Sequence, residues 1–519
     1  MKFYSPYRQN WRFDPMQMPE PTKSVVFVYG TWWEMGYQFA TQAEHAVRVK
    51  IVAGIAAAIA KYKNKQHALS CMQDYLDATK SGAPEMVELW DGIADALRLD
   101  RCDVYLAYLN YNEGDERCSN VCAYGSATKD GRTLFGLNCD EPETVNFYAP
   151  MVVAFPKDGY SFISASAFIC NCFMNEKGLI SAGSCGQWQD KGDQGRGMPN
   201  AIGLFLTAFQ CADVNEAKNA VIKNGWGPAS GENSHYADIG GHSCVIERTA
   251  QRIGIRTAGD FGETDYTVAT NTFLTPQMQL SVFTGPRKWD NCLPRYWSEE
   301  QILKENFGVI DPDVINKAMR CRDFYIPKEW KYTKWETDVQ GYQYGWNRQL
   351  WKTDPQLAAR TVKWSPEIRT VRGKNVFSCV LDPSRREFYI TNGCGDPLIS
   401  MNAHATGNFC KILLDDSPYK MLEHAREYAL QQVFWGARDL DVGDVTDYER
   451  RSALNRAKEA VFAGTNFQNL ALCAQDEEEH WMLCGKAVSQ FCKAQCYGQL
   501  AQDDPKKLSR DAERFELPW

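Results

Sequence analysis

Apolar and polar positions alternate with different periods along this 519-residue chain, and the changes of period mark out its elements. Val25-Val26-Phe27-Val28-Tyr29 is an unbroken apolar run and predicts a short strand over 24–29. From Gly30 to about Lys63 apolar residues recur at helical spacing, densest between Ile51 and Ala60. Two more helical patterns cover about 83–99 and 103–111. The period then shortens. Strand-like pieces fall at 118–140, 149–168, 170–185, 240–258 and 265–270, with helices between them at about 200–224 and 298–321. Strands return at 375–392, where two apolar runs flank the turn Asp382-Pro383-Ser384-Arg385-Arg386. Beyond about 412 the helical period holds to the end. Helices, then strands with helices between them, then helices predict an α+β layered fold. Residues 1–23 read as an irregular arm, and 323–365 as a loop-rich, Trp-rich insertion.

Composition narrows the function classes. Hydrophobic residues make up 44% and charged residues 24%, which is ordinary for a globular chain. Net charge is -8 and no basic block stands out, so nucleic acid is not an expected partner. The longest apolar run, Ile51 to Ala60, is too short to cross a bilayer. The first ten residues lack an apolar signal core, so a cytoplasmic location is expected. There the 19 cysteines would be reduced, most of them buried as small hydrophobes.

One cysteine stands apart by context. Cys118 follows the charged, turn-prone Glu113-Gly114-Asp115-Glu116-Arg117 and opens a hairpin: a strand to Thr128, a Lys129-Asp130-Gly131-Arg132 turn, and a strand from Thr133 to Asn138. Scission between Arg117 and Cys118 would leave one residue carrying both a thiol and an α-amine. Their ordinary pKa values, ~8.5 and ~7.7–8.0, are close, so the amine can serve as the base for its own thiol.

The pieces around Cys118 are similar to the acyl-coenzyme A:isopenicillin N acyltransferase-like family (peptidase C45) of the N-terminal-nucleophile (Ntn) hydrolase superfamily. In order along the chain they are Gly30-Thr31-Trp32-Trp33-Glu34-Met35-Gly36-Tyr37-Gln38, Glu88 to Ala94, Leu109-Asn110 with Glu113, Cys118-Ser119, Ala127 to Leu134, Gly136 to Asp140, Asn175-Glu176-Lys177-Gly178-Leu179 and Thr270-Asn271-Thr272-Phe273. Three positions depart from the family pattern: Arg117, Cys139 and Thr272.

That resemblance implies an αββα four-layer sandwich of two antiparallel sheets, with an additional C-terminal helical region. It divides the chain into a mostly helical pro-segment 1–117, a catalytic core 118–404 and a helical extension 405–519. It implies self-cleavage between Arg117 and Cys118, with the two fragments staying associated. Cys118 would be the nucleophile, Asn271 the oxyanion donor, and Asp140 the residue that orients the new α-ammonium or the substrate. Ser119, Asn138 and Asn175 are lesser candidates for the substrate-binding wall.

The activity implied is hydrolysis of a linear amide, or acyl transfer, through a Cys118 thioester. The alternatives are an acyl-CoA-dependent N-acyltransferase and a non-catalytic scaffold of the same fold. The partner expected is a small-molecule amide or acyl donor, and self-association of whole chains stays open. No Gly-rich phosphate loop is present, so no cofactor is expected and acyl-CoA enters only as a substrate. No metal is expected, because His480, Cys484, Cys492 and Cys496 share helix faces in pairs but fit no zinc pattern. His235 and His242 read as structural; Arg295 and Arg372 could each bind a substrate carboxylate bidentately, but read first as surface arginines.

Overall fold

The computed structural model describes residues 22–109, 118–141, 149–169, 172–185, 197–224, 231–279, 292–319, 331–334, 361–364, 374–392, 408–440 and 448–502. The chain opens with strand β1 (Val25–Gly30) and five helices. These are α1 (Trp32–Gln42), α2 (Glu44–Tyr62), α3 (Lys65–Gly82), α4 (Pro84–Leu97) and α5 (Arg101–Leu109). Seven strands and two helices build the middle. They are β2 (Ser119–Gly125), β3 (Gly131–Glu141), β4 (Met151–Pro156), β5 (Phe162–Ser164), β6 (Cys172–Asn175), β7 (Ile180–Cys185), α6 (Asn200–Gln210), α7 (Val214–Asn224) and β8 (Glu232–Ala237). Then come β9 (Ser243–Arg248), β10 (Ile253–Thr257), β11 (Tyr266–Ala269), α8 (Cys292–Glu305) and α9 (Pro312–Met319). A small ladder pairs β12 (Lys331–Lys334) with β13 (Thr361–Trp364). The chain ends with β14 (Lys374–Asp382), β15 (Glu387–Asn392), β16 (Cys410–Leu413), α10 (Pro418–Asp439), α11 (Tyr448–Leu472) and α12 (Glu477–Leu500).

Two large sheets result. One has eight strands in the order β1-β4-β5-β6-β7-β8-β9-β10, the other six in the order β11-β2-β3-β14-β15-β16. Neighbouring strands in both run antiparallel, except that β1 lies parallel to β4 at one edge. Side-chain alternation then sorts each strand between two layers. In β1, Val25 and Phe27 enter the layer between the sheets, while Val26 and Val28 face α1–α7. In β2, Cys122 and Tyr124 enter that same layer, while Val121 and Ala123 pack against Tyr296 and Trp297 of α8 and Ile315 and Met319 of α9. The layers therefore run helix, sheet, sheet, helix, in the α+β class expected.

Several element boundaries differ from the sequence expectation. The helix expected over 30–63 is two, broken at Ala43, whose φ of -118° and ψ of 30° leave helical space. Helix α3 was not foreseen because its apolar stripe is thin, with only Ala68, Met72 and Thr79 buried. Strand β8 was missed because Glu232, Asn233, Ser234 and His235 are buried although polar.

Motif residues of the first helix brace the fold. Glu34 and Thr31 form a capping box, with Thr31 N–H donating to Glu34 Oε2 at 2.7 Å. Gly36 and Gly92 let α1 and α4 touch. A Cβ on Gly36 would lie 2.0 Å from the Leu89 carbonyl oxygen, and one on Gly92 would lie 2.1 Å from that of Trp33.

The C-terminal region joins this core. Strand β16 is the last strand of the six-stranded sheet, and α12 runs between the two sheet edges, sending Val488, Phe491 and Cys492 into the inter-sheet layer. Its side chains occupy the ladder positions that a further strand would fill. Ser489 Oγ accepts from Val25 N–H at 2.8 Å on the β1 edge. On the β16 edge, Gln495 accepts from Lys411 N–H at 2.7 Å and donates to Lys411 O at 3.1 Å, while Gln499 donates to Phe409 O at 2.6 Å. Helix α1 completes the β1 edge: Gln38 bonds Tyr29 N–H and O, and Gln42 donates to Phe27 O.

Among the described residues no helix is long and apolar enough to cross a membrane.

Candidate active site

Cys118 lies at the entry of β2, 2% exposed, in the layer between the sheets. The first ladder pair is Ser119 with Asn138, so Cys139 comes opposite Cys118 one step further on. Strand β11 flanks β2 on the other side, pairing Ala269 with Asn120. The chain leaves β11 through Thr270, Asn271 and Thr272, which brings Asn271 to the same end of the sandwich as Cys118.

That exit loop is held from three directions. Asn233 of β8 donates its amide to Thr270 O at 2.6 Å and to Thr272 O at 3.0 Å, and Ser184 of β7 donates to Thr270 O at 3.2 Å. Glu247 of β9 receives Leu274 N–H at 2.8 Å, Thr275 N–H at 2.9 Å and the Thr275 hydroxyl at 2.8 Å. The Glu247 carboxylate is itself paired with Arg256 at 2.9 Å, both side chains being buried, and Arg256 Nη2 donates to Val268 O at 2.6 Å. A buried ion pair braced by these further hydrogen bonds is a rigid anchor, with Arg256 Nη1 alone left buried without a protein partner.

Arg295, on α8, connects the two candidate residues. Its Nη1 donates to Cys118 O at 2.8 Å and its Nη2 to Asn271 Oδ1 at 2.7 Å. The planar fork sets Asn271 at a fixed position relative to Cys118, and it fixes which end of the amide is the donor end. Arg295 is 5% exposed, so the surface reading of it is corrected. The signal available in sequence was its setting, Leu293-Pro294-Arg295-Tyr296-Trp297, in which the two aromatics belong to the core.

The remaining candidates fall elsewhere. Asn138 faces α9: it donates to Met319 O at 2.8 Å and accepts from the Ser378 hydroxyl at 2.5 Å. Ser119, its cross-strand partner, shares that outer face, with a buried hydroxyl that has no protein partner. Asn175 braces a turn, donating to Ala208 O and Cys211 O and accepting from Lys177 N–H and Leu179 N–H. Asp140 takes part in the β3–β14 ladder opposite Asn375, and its side chain lies outside the described residues, as do Arg117 and Arg372. The structure thus brings Cys118 and Asn271 together and places Ser119, Asn138 and Asn175 away from them.

His235 is wholly buried, its Nε2 within 2.7 Å of the Thr267 hydroxyl and 3.1 Å of that of Ser243. Burial, helped by the Arg256 charge, holds it well below the usual histidine pKa. His242 pairs with Asp238 at 3.1 Å within a turn. In the tail, Cys484 contacts His480 at 3.7 Å, and no group of three or more metal-ligating side chains is assembled among the described residues.

No protein-family profile matches the chain, and no curated protein does. Solved structures similar to it include two variants of conjugated bile acid hydrolase from Clostridium perfringens, at 14% and 15% identity. Each covers 58% of this chain and 98% of its own, with TM-scores of 0.30 and 0.29. Penicillin V acylase from Agrobacterium tumefaciens is 13% identical, covering 57% of this chain and 86% of its own, with a TM-score of 0.31. At such scores the description of the fold rests on the sheets and layers themselves.

Proposed function

We propose that the chain is a self-activating cysteine amidohydrolase that cleaves linear amides through a Cys118 thioester. The observation that carries this reading is the Arg295 fork, which ties the Cys118 backbone to the Asn271 amide. A helix-borne guanidinium spent on aligning one cysteine with one asparagine is costly to bury unless their relative position matters.

In the activation step the Cys118 thiol attacks the Arg117 carbonyl carbon. The Arg117–Cys118 C–N bond breaks, the nitrogen takes the thiol proton, and water then hydrolyses the thioester to release the Arg117 carboxylate. In turnover the freed α-amine accepts the thiol proton, Sγ attacks the substrate carbonyl, and the amine of the substrate leaves protonated. Negative charge gathers on the carbonyl oxygen, and the Asn271 donor end stabilises it, an effect worth ~2.7–4 kcal/mol of barrier for one such donor. Asp140 orients the α-ammonium from β3. Water closes the cycle by hydrolysing the acyl thioester.

Mass spectrometry of purified protein tests this. The wild type is expected as two fragments of about 13 and about 46 kDa, the 58.9 kDa chain divided in proportion to length, the larger beginning Cys-Ser-Asn. Cys118→Ala is expected as one intact chain without turnover. A wild type that stays intact, or a Cys118→Ala variant that still hydrolyses amides, would refute the proposal.

A further inference from the structure

The inner face of β2 carries Cys118, then Asn120, then Cys122. Asn120 is fully buried, yet neither its Nδ2 nor its Oδ1 has a protein partner. Its surroundings follow from register. Asn120 pairs with Ala269, and the next residue, Thr270, is bonded by Asn233 from the opposite sheet. Cys122 pairs with Thr267, and Thr267 is bonded by His235, two residues beyond Asn233 on the same face of β8. Asn233 and His235 therefore stand across the inter-sheet layer from Asn120 and Cys122. They too carry buried atoms with no protein partner, Asn233 Oδ1 and His235 Nδ1. Four such atoms on facing strands are expensive, since each forfeits the hydrogen bonds it would make in water.

We propose that Asn120, with Asn233 and His235 opposite, forms a subsite for an uncharged hydrogen-bonding substituent on the acyl group of the substrate, a hydroxyl or a carboxamide. This rests on Cys118 being the acyl acceptor. Residues two apart on a strand are ~6.5 Å apart, so the substituent lies about two to four bonds from the carbonyl carbon. Asn120 offers a donor and an acceptor together, which suits a group that also does both. Glu247 and Arg256 are paired with each other, and Arg295 is engaged by Cys118 O and Asn271 Oδ1, so none of the three is aimed at a charged substituent beside Asn120.

The test compares wild type with Asn120→Leu on two p-nitroanilides of matched shape, 3-hydroxybutanoyl and 3-methylbutanoyl. It also measures the melting shift that each free acid produces in both proteins. The wild type is expected to favour the hydroxylated amide at least about tenfold in kcat/KM, and its acid is expected to give the larger melting shift. Asn120→Leu is expected to lose both preferences and to melt higher than wild type, because an unpartnered amide has been replaced by an apolar side chain of similar size. Asn120→Ala gives the same ratios if the leucine variant does not fold. A wild type without preference, or a variant that keeps it, overturns the subsite. So does a variant that melts lower while the two acids act alike, since the amide would then be serving an enclosed water. If neither amide is hydrolysed but the melting preference appears and is lost in Asn120→Leu, the subsite stands and the amidase reading falls.

Discussion

Two halves of the layer between the sheets are equally buried and chemically opposite. Around β1, β4, β14 and β15 the layer is filled by Phe27, Val153, Phe377, Leu381, Phe388 and Ile390. Around β2, β7, β8, β9 and β11 it holds Asn120, Ser184, Asn233, His235, Ser243 and Thr267, each 5% exposed or less. The first half gains ~25 cal/mol for each Å² of apolar surface removed from water. The second gives up water contacts for each polar atom and recovers them only where a partner is built. Ser243, Thr267 and His235 satisfy one another in part, while Asn120 does not. One half is organised for stability and the other is held polar at some expense of it, and Cys118 stands at the polar end.

Substitutions can sharpen that contrast. The largest effect is expected at Cys118, where alanine abolishes both scission and turnover, read by intact mass and amide hydrolysis. Next come Asn271→Ala and Arg295→Met. Each is expected to lower kcat on the order of 10²–10³-fold, and the double variant little further, because the arginine acts through the asparagine. Steady-state kinetics of all three decide this, and additive losses would separate the two roles. On the apolar side Gln495→Leu is expected to cost about 1–3 kcal/mol in denaturant unfolding, by leaving the Lys411 backbone without its partner, while kcat stays at the wild-type value.

The smallest effects are in pH dependence, and they have opposite signs in two places. His235 stays neutral in the folded chain because burial, with Arg256, depresses its pKa below 6.5. The unfolded chain then binds the extra proton, so stability is lost as pH falls below 6.5. Burial lifts Asp382, at the β14–β15 turn, from 3.8 to about 6 against the pull of Arg132. The folded chain then binds the extra proton, so stability is lost as pH rises through that window. Thermal melts across pH 4–8 are expected to lose the first slope in His235→Gln and the second in Asp382→Asn.

What the sequence disclosed follows the same division. The strands with apolar runs, Val25–Gly30, Gly131–Glu141 and the Lys374–Asn392 hairpin, were legible because periodicity reports burial of apolar surface. Strand β8 was not, because Glu232-Asn233-Ser234-His235 has the composition of a loop and is buried for the sake of its hydrogen bonds. The position of Cys118 at the entry of a hairpin was legible from the Lys129-Asp130-Gly131-Arg132 turn and the strands on either side of it. Arg295 was not: its aromatic neighbours Tyr296 and Trp297 hint at burial, but its partners lie 24 and 177 residues away. The glycines Gly36 and Gly92 and the residues Glu34 and Gln38, which read as a motif, turn out to set a helix crossing, a helix cap and a sheet edge. Asn175 likewise reads as a motif residue and is fully engaged in a turn.

Helix α12 and helix α1 end both ribbons of strands with side chains instead of backbone. Serine and glutamine at 38, 42, 489, 495 and 499 occupy the ladder positions a neighbouring molecule would otherwise use. A chain deprived of its last hundred residues would lose more than a helical appendage. It would bare the β16 edge and the Val25 end of β1, where α1 does not reach, and identical copies could pair onto them side by side. Resistance to aggregation, in this architecture, is written into the far end of the sequence.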